Sequence, residues 1–320
     1  MVELSLSASA YVYLKMKNLA TCYNEHAIKV SDSYCSGNSN NIYVPPTFIP
    51  SIQDEVSLLY KVQLSTQTLM FITLTWSTHN IDFAFTINIY EHHSNSSKSF
   101  CLRKIKGSKK LEPFDLKIEL IWDLTKATYE IGPEPVKGYF VAVLVNSELV
   151  SIGDIEDVEL KKIVLYYPFA KCSLVSRSER FLGNVEYSSR AKFFDTGMWH
   201  DILITCVADD QRTKNSLSMC VCIDKKNVIH VKRLRWNFRG NQTVFLDGML
   251  VDLMWDVHDW FFQSNSDSNS NTKSRSRSGI FLFRPRNGLD SRLWLEEKNL
   301  DEKEEKVGAS LLICACKNPS

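Results

Sequence analysis

Two stretches of this chain repeat one another. Residues 83–124 and 216–257 align without a gap, 133 positions apart. KIELIWDL (117–124) falls beside LVDLMWDV (250–257), so Trp122-Asp123 meets Trp255-Asp256, Gly107 meets Gly240 and Lys106 meets Arg239. Ile87 and Ile89 fall on Cys220 and Cys222, and Ile118 falls on Val251. Looser matches extend outward: FITLTWS (71–77) with ILITCVA (202–208), and GYFVAVLV (138–145) with GIFLFRPR (279–286). The second copy carries extra residues within SNSDSNSNTKSRSRS (264–278), a polar loop insertion. Whatever one copy folds into, the other is expected to fold into as well.

Each copy reads as strands. Apolar and polar residues alternate with period two in 71–76, 83–90, 116–123 and 138–145, and again in 202–208, 216–223, 250–256 and 279–283. Ile118, Leu120 and Trp122 share one face, with Lys117, Glu119, Ile121 and Asp123 on the other. Turn signals at close intervals favour antiparallel pairing over βαβ units. Helical signals are peripheral, at IEDVELKKI (155–163) and SRLWLEEKNLDEKEEK (291–306), and residues 31–53 read as a loop. The expected architecture is all-β: two tandem, duplicated antiparallel β-sandwich or barrel-like units with minor peripheral helix. The expected organisation is an N-terminal segment and loop over 1–55, a first unit over 56–165 and a second over 166–320. SLLICAC (310–316) would supply a closing strand.

Composition excludes more than it suggests. The 320 residues carry 38 Lys+Arg against 37 Asp+Glu, a net charge of +1, so the chain is no bulk polycation. No two of the 12 glycines lie closer than six residues apart, which removes the dinucleotide fingerprint, the Walker-A loop and the GxSxG elbow. Nine cysteines include no CxxC pair; Cys220/Cys222 and Cys314/Cys316 have strand spacing and read as small buried hydrophobes. The N-terminal stretch lacks a basic n-region and a sustained apolar run, and no apolar run approaches a membrane span. The expectation is a cytoplasmic or nuclear protein with no cofactor and no metal.

VIHVKRLRWNFRGNQTVFLDGMLVDLMWDVHDWFF (228–262), WDLTKATYEIGPEPVKGYFVAVLV (122–145) and SLVSRSERFLGNVEYSSRAKF (173–193) stand in order. Together they resemble the plant family known as domain of unknown function 868, from about residue 20 to the C-terminus. The resemblance implies a plant protein of no assigned activity and supplies no catalytic residues.

The candidate sites are local. In VKRLRWNFRGN (231–241), strand alternation would send Leu234, Trp236 and Phe238 inward and line Arg233, Arg235 and Arg239 along the other face, suited to carboxylate or phosphate. The bland alternative is a solvated face or a charge-protected edge. RKIKGSKK (103–110), with Lys104 and Lys106, occupies the matching place in the first copy. Trp122 and Trp255 are expected to anchor the two cores, and Asp123 and Asp256 to cap turns. A glycosidase-like pairing of those aspartates would need them in one cleft, whereas the repeat puts them in separate units. Asp256, His258 and Asp259 are metal-capable types without a metal motif around them. Phosphorylation of KSRSRS in the 264–278 loop would reverse its local charge. The functional expectation is a non-enzymatic β-rich binding or interaction module whose partner is a protein or an anionic ligand. The alternatives are RNA or phosphoinositide binding through the basic faces, or an enzyme with a pocket between the units.

Overall fold

The computed structural model describes residues 51–78, 85–91, 96–112, 116–153, 158–183, 185–208, 217–262, 278–286 and 308–316. The 264–277 insertion, the charged stretch 291–306 and most of the 31–53 loop lie outside them. The described chain is all-β with two short helices, and it divides into two compact units, Gln53–Glu179 and Arg180–Ser320.

In the first unit, β1 (Ile52–Gln63), β2 (Leu69–Ser77), β3 (Phe85–Glu91) and β4 (Ser96–Leu102) form an antiparallel meander. A second sheet runs β10-β9-β6-β5, from β5 (Lys106–Leu111), β6 (Ile118–Asp123), β9 (Phe140–Val145) and β10 (Glu148–Gly153). The small hairpin β7 (Thr128–Tyr129) and β8 (Pro135–Lys137) joins β6 to β9. Alternation does what period two requires. Val56, Leu58, Ile72, Leu74 and Ile87 from one sheet share a single buried core with Ile118, Leu120, Trp122, Val141 and Val143 from the other. Strand β9 instead reads FVAVLV and is buried throughout. Its second face, with Phe140, Ala142 and Leu144, packs against Ile163 and Val164 of helix α1 (Val158–Tyr166). A strand covered on both sides carries a continuous apolar run rather than alternation.

The second unit uses β12 (Glu186–Ala191), β13 (His200–Ala208), β14 (Leu217–Ile223) and β15 (Lys226–Val231) in one antiparallel sheet. A run β16-β17-β18-β19 forms its other sheet, from β16 (Arg239–Leu246), β17 (Met249–Asp256), β18 (Ser278–Pro285) and β19 (Ser310–Cys316). Ile202, Ile204, Met219 and Val221 share one core with Leu253, Trp255, Phe281 and Phe283. Strand β11 (Lys171–Leu182) passes from the first unit into the second. No sheet closes into a barrel: β5 and β10 end the first unit's second sheet, and β12 and β15 end its counterpart's first, each without a closing partner strand among the described residues. The barrel-like alternative is therefore corrected to open sheets.

Position by position, the Trp-Asp strands make the same contacts. Trp122 stands opposite Gly107 and Trp255 opposite Gly240. A Cβ on Gly107 would lie 2.9 Å from the Trp122 ring, and one on Gly240 would lie 2.2 Å from the Trp255 ring. Each glycine thus lets an indole lie flat across the neighbouring strand. Trp122 Nε1 donates to the Lys104 carbonyl at 2.8 Å, and Trp255 Nε1 to the Asn237 carbonyl at 3.0 Å. The Leu124 amide reaches the Ile105 carbonyl as the Val257 amide reaches that of Phe238, both at 2.9 Å.

The expected strand over 231–241 is a turn in its middle. Strand β15 stops at Val231, and the amides of Trp236 and Asn237 both donate to the Arg233 carbonyl, at 2.8 and 3.1 Å. Asn237 Nδ2 adds a bond to the Lys232 carbonyl at 2.8 Å, and Arg233 takes a left-handed φ of 51°. Leu234 is fully buried in the core and Phe238 packs half-buried against it, while Trp236 is 82% exposed. Alternation fails here because backbone carbonyls are bonded within the turn rather than to a neighbouring strand.

Candidate functional site: a basic aromatic turn and three polar clusters

The five basic residues singled out in the sequence separate into two kinds. Lys106 pairs with Asp123 at 2.7 Å and Arg239 with Asp256 at 3.0 Å. Asp123 Oδ1 also accepts the Thr125 amide at 2.9 Å and its hydroxyl at 2.6 Å, and Asp256 Oδ1 accepts the His258 amide at 3.0 Å. Partial burial works against the Asp123 carboxylate, but the hydrogen bonds from Lys106 and Thr125 outweigh it and hold its pKa below the ordinary value. A carboxylate held ionised in this way ends a strand and is ill-suited to act as a general acid. Asp123 and Asp256 also lie in different units.

Arg233, Arg235 and Lys104 are exposed and make no ion pair among the described residues. Arg233 and Arg235 sit on the 232–238 turn on either side of Leu234, next to exposed Trp236. Helix α2 (His258–Phe262) packs beside the turn: Phe238 meets His258 and Phe262, both at 5.3 Å between ring centroids. The Arg235 guanidinium lies 6.0 Å from the Phe262 ring and that of Arg239 lies 5.5 Å from Phe238. The turn thus presents two arginines and an indole to solvent on an aromatic base, a combination that stacks on π-faces and pairs with anions. Sequence reasoning had placed the indole inside.

Asp256, His258 and Asp259 do not converge on a common point. His258 Nδ1 lies 3.3 Å from Asp259 Oδ1, and no group of three His, Cys, Asp or Glu side chains able to hold a metal occurs among the described residues. The paired cysteines lie on strands as spaced, with Cys220 and Cys316 buried and Cys222 and Cys314 half-buried.

Three polar clusters escaped the sequence reading because topology, not spacing, assembles them. In the first unit, Arg177 Nη1 meets Glu134 Oε2 at 2.6 Å and Arg177 Nε meets Glu179 Oε1 at 2.5 Å. In the second, Arg286 Nε and the Thr243 hydroxyl both donate to Asp252, at 2.8 and 2.6 Å. The third cluster centres on His200, the first residue of β13, whose Nδ1 lies 2.7 Å from Asp224 and Nε2 3.1 Å from Asp247. Asp224 and Asp247 occupy the tight turns β14–β15 and β16–β17, both with left-handed φ. One imidazole therefore joins a turn of each sheet, at the opposite ends of β15 and β16 from the 232–238 turn.

That latch carries a pH dependence. Burial opposes the charged His200, but the hydrogen bonds to Asp224 and Asp247 outweigh it and raise the pKa above 6.5. Asp224 is lowered first by the His200 bond, and Asp247 first by the Met198 amide, each from 3.8. The raised histidine stabilises the fold fully below pH 6.5, and that contribution is lost as pH rises through its folded value. The lowered aspartates stabilise it above pH 3.8, and theirs is lost as pH falls through their folded values. The thermal midpoint of the second unit is therefore expected to fall as pH rises from 6.5 to 9. Thermal unfolding of His200→Gln, followed by circular dichroism, should lack that slope.

A family model described as a plant protein of unknown function (DUF868) matches residues 51–317. The chain belongs to this family. Within DUF868, then, the described sheets, the Trp-Asp strands and the 232–238 turn all fall inside the matched region. No curated protein matches the chain. Among solved structures, kievitone hydratase from Nectria haematococca is similar at 9% identity, over 78% of this chain and 93% of that one, with a TM-score of 0.24. At that score the likeness bears on neither fold nor function. No helix among the described residues is long and apolar enough to cross a membrane.

Proposed function

We propose that this DUF868 protein is a non-enzymatic binding module built from two duplicated β-sandwich units. In this reading the 232–238 turn of the second unit is its contact surface. The observation that carries the reading is Trp236, 82% exposed on a turn closed by its own backbone bonds. An exposed indole flanked by arginines has the composition of an interface hot spot. Its charge calls for a partner bearing carboxylates or phosphates. Duplication is supported by the shared bonds of Trp122 and Trp255 and by a compensating exchange. Ala127 and Tyr139 of the first copy correspond in register to Trp260 and Gly279 of the second, and a Cβ on Gly279 would lie 2.5 Å from the Trp260 ring. The large side chain has moved from one strand to the facing segment while the core volume is kept.

The test is retention of the full chain on two phosphate-bearing supports at low salt: single-stranded RNA, and vesicles containing phosphoinositide. Trp236→Ala and the Arg233→Glu/Arg235→Glu pair are each expected to weaken retention at least tenfold on whichever support the parent binds. Thermal midpoints should be unchanged, since all three side chains are exposed. Parental retention by the charge-reversed pair would sink the proposal. The matching Lys104→Glu change in the first unit should have the smaller effect, since among the described residues no exposed tryptophan accompanies it there.

A further inference from the structure

The first unit holds a charge arrangement that its fold does not account for. Arg177 is one guanidinium between two carboxylates, Glu134 and Glu179, so the three groups sum to one negative charge when all are ionised. The Glu179 side chain is fully buried, and its Oε2 has no hydrogen-bond partner among the described residues. Proteins seldom leave a buried carboxylate oxygen without a donor, because the desolvation cost is then uncompensated. Burial raises the pKa of Glu134, only partly offset by Arg177, in keeping with a site one cation short.

Aromatic residues neighbour the cluster. Tyr60 interacts electrostatically with Glu134, Arg177 and Tyr139, and Tyr139 stands edge-on to Trp76 at 5.8 Å. Trp76 Nε1 is a second buried polar atom without a partner, a donor where Glu179 Oε2 is an acceptor. Glu134 and Arg177 keep 18% and 17% of their side-chain surface exposed, so the cluster reaches solvent beside the β7–β8 hairpin. That hairpin bears exposed Tyr129 and Ile131. In the second unit, by contrast, Tyr187 donates to the Gly183 carbonyl and Trp260 Nε1 to that of Ala315.

We propose that the Glu134–Arg177–Glu179 cluster is a binding site for a small protonated amine with an aromatic body. The ammonium group donates to Glu179 Oε2 and supplies the missing positive charge. The rings of Tyr60 and Tyr139 face the cation and its apolar body, an arrangement favoured by their quadrupoles. An acceptor on the body, such as a phenolic oxygen, answers the Trp76 N–H. This site is independent of the 232–238 turn.

The experiment is isothermal titration calorimetry of the full chain with three molecules of one shape. Tyramine carries the amine, 4-hydroxyphenylethanol is its neutral counterpart and 4-hydroxyphenylacetate its anionic one. Tyramine is expected to bind at least tenfold more tightly than either. Glu179→Gln, shown folded by circular dichroism, should lose at least tenfold of that affinity. Equal binding of all three, no binding of tyramine at millimolar concentration, or full affinity in the Gln variant would each overturn the proposal. No binding of tyramine would leave Glu179 Oε2 to a buried water. The comparison among the three molecules on the unaltered chain stands even if Glu179→Gln fails to fold.

Discussion

Trp255→Ala is expected to remove about 3–5 kcal/mol of folding stability, the usual cost of emptying a buried indole site. Trp255 is 1% exposed and sits in the core shared by both sheets of the second unit. Its loss acts three ways at once. The ring's apolar area is forfeited, the Asn237 carbonyl loses its donor, and Gly240 is left with a gap across β16 that its own missing side chain cannot fill. Since the carbonyl belongs to the 232–238 turn, the same substitution loosens the proposed contact surface. Single domains are stable by about 5–15 kcal/mol, so much of the second unit's margin would go. Urea unfolding followed by far-ultraviolet circular dichroism checks it, and a loss below about 1 kcal/mol would show that the indole is not an anchor.

Arg177→Met is the other large effect, expected at about 3–5 kcal/mol, because it leaves two buried carboxylates facing each other without their shared cation. Its signature is the pH dependence. In the parent, Arg177 offsets the burial that raises Glu134. Without it, nothing offsets that burial, and the Glu134 carboxyl titrates higher still in the folded than in the unfolded chain. A group whose folded pKa is raised favours folding below that value and opposes it above. The variant should therefore be more stable at about pH 5 than at pH 7 relative to the parent, because the raised Glu134 carboxyl takes up its proton as pH falls. Chemical unfolding at both pH values decides it: a deficit that stays constant means that the two glutamates are not coupled through Arg177.

The legible part of the fold was that in which side-chain period and strand period coincide. KIELIWDL and LVDLMWDV announce β6 and β17 because every second residue enters a core, and the interruption-free run FVAVLV belongs to a strand buried on both faces. Strands β1 and β11 were not legible. DEVSLLYKVQ and KCSLVSRSERFL place charged or hydroxyl side chains on both faces, and in β11 Arg177 and Glu179 pair with one another inside the unit. VKRLRWNFR misled in the opposite direction. Its alternation is good over the whole span, yet one left-handed residue, Arg233, and three bonds within the turn redirect the chain and carry Trp236 outward. The candidate arginines were thus visible in the sequence, but the distinction between Arg239, tied to Asp256, and Arg233 and Arg235, facing solvent, was not. The His200 latch joins residues 24 and 47 positions away, and no local pattern encodes that.

The most direct test of the binding account is amide chemical-shift mapping of the full chain on titration with inositol hexakisphosphate, a soluble source of clustered phosphates. The account predicts perturbations concentrated on residues 232–239 and 258–262, with the Trp236 indole N–H among the largest, and their loss in the Arg233→Glu/Arg235→Glu variant. Perturbations centred instead on 103–110, or scattered without saturation, would contradict it.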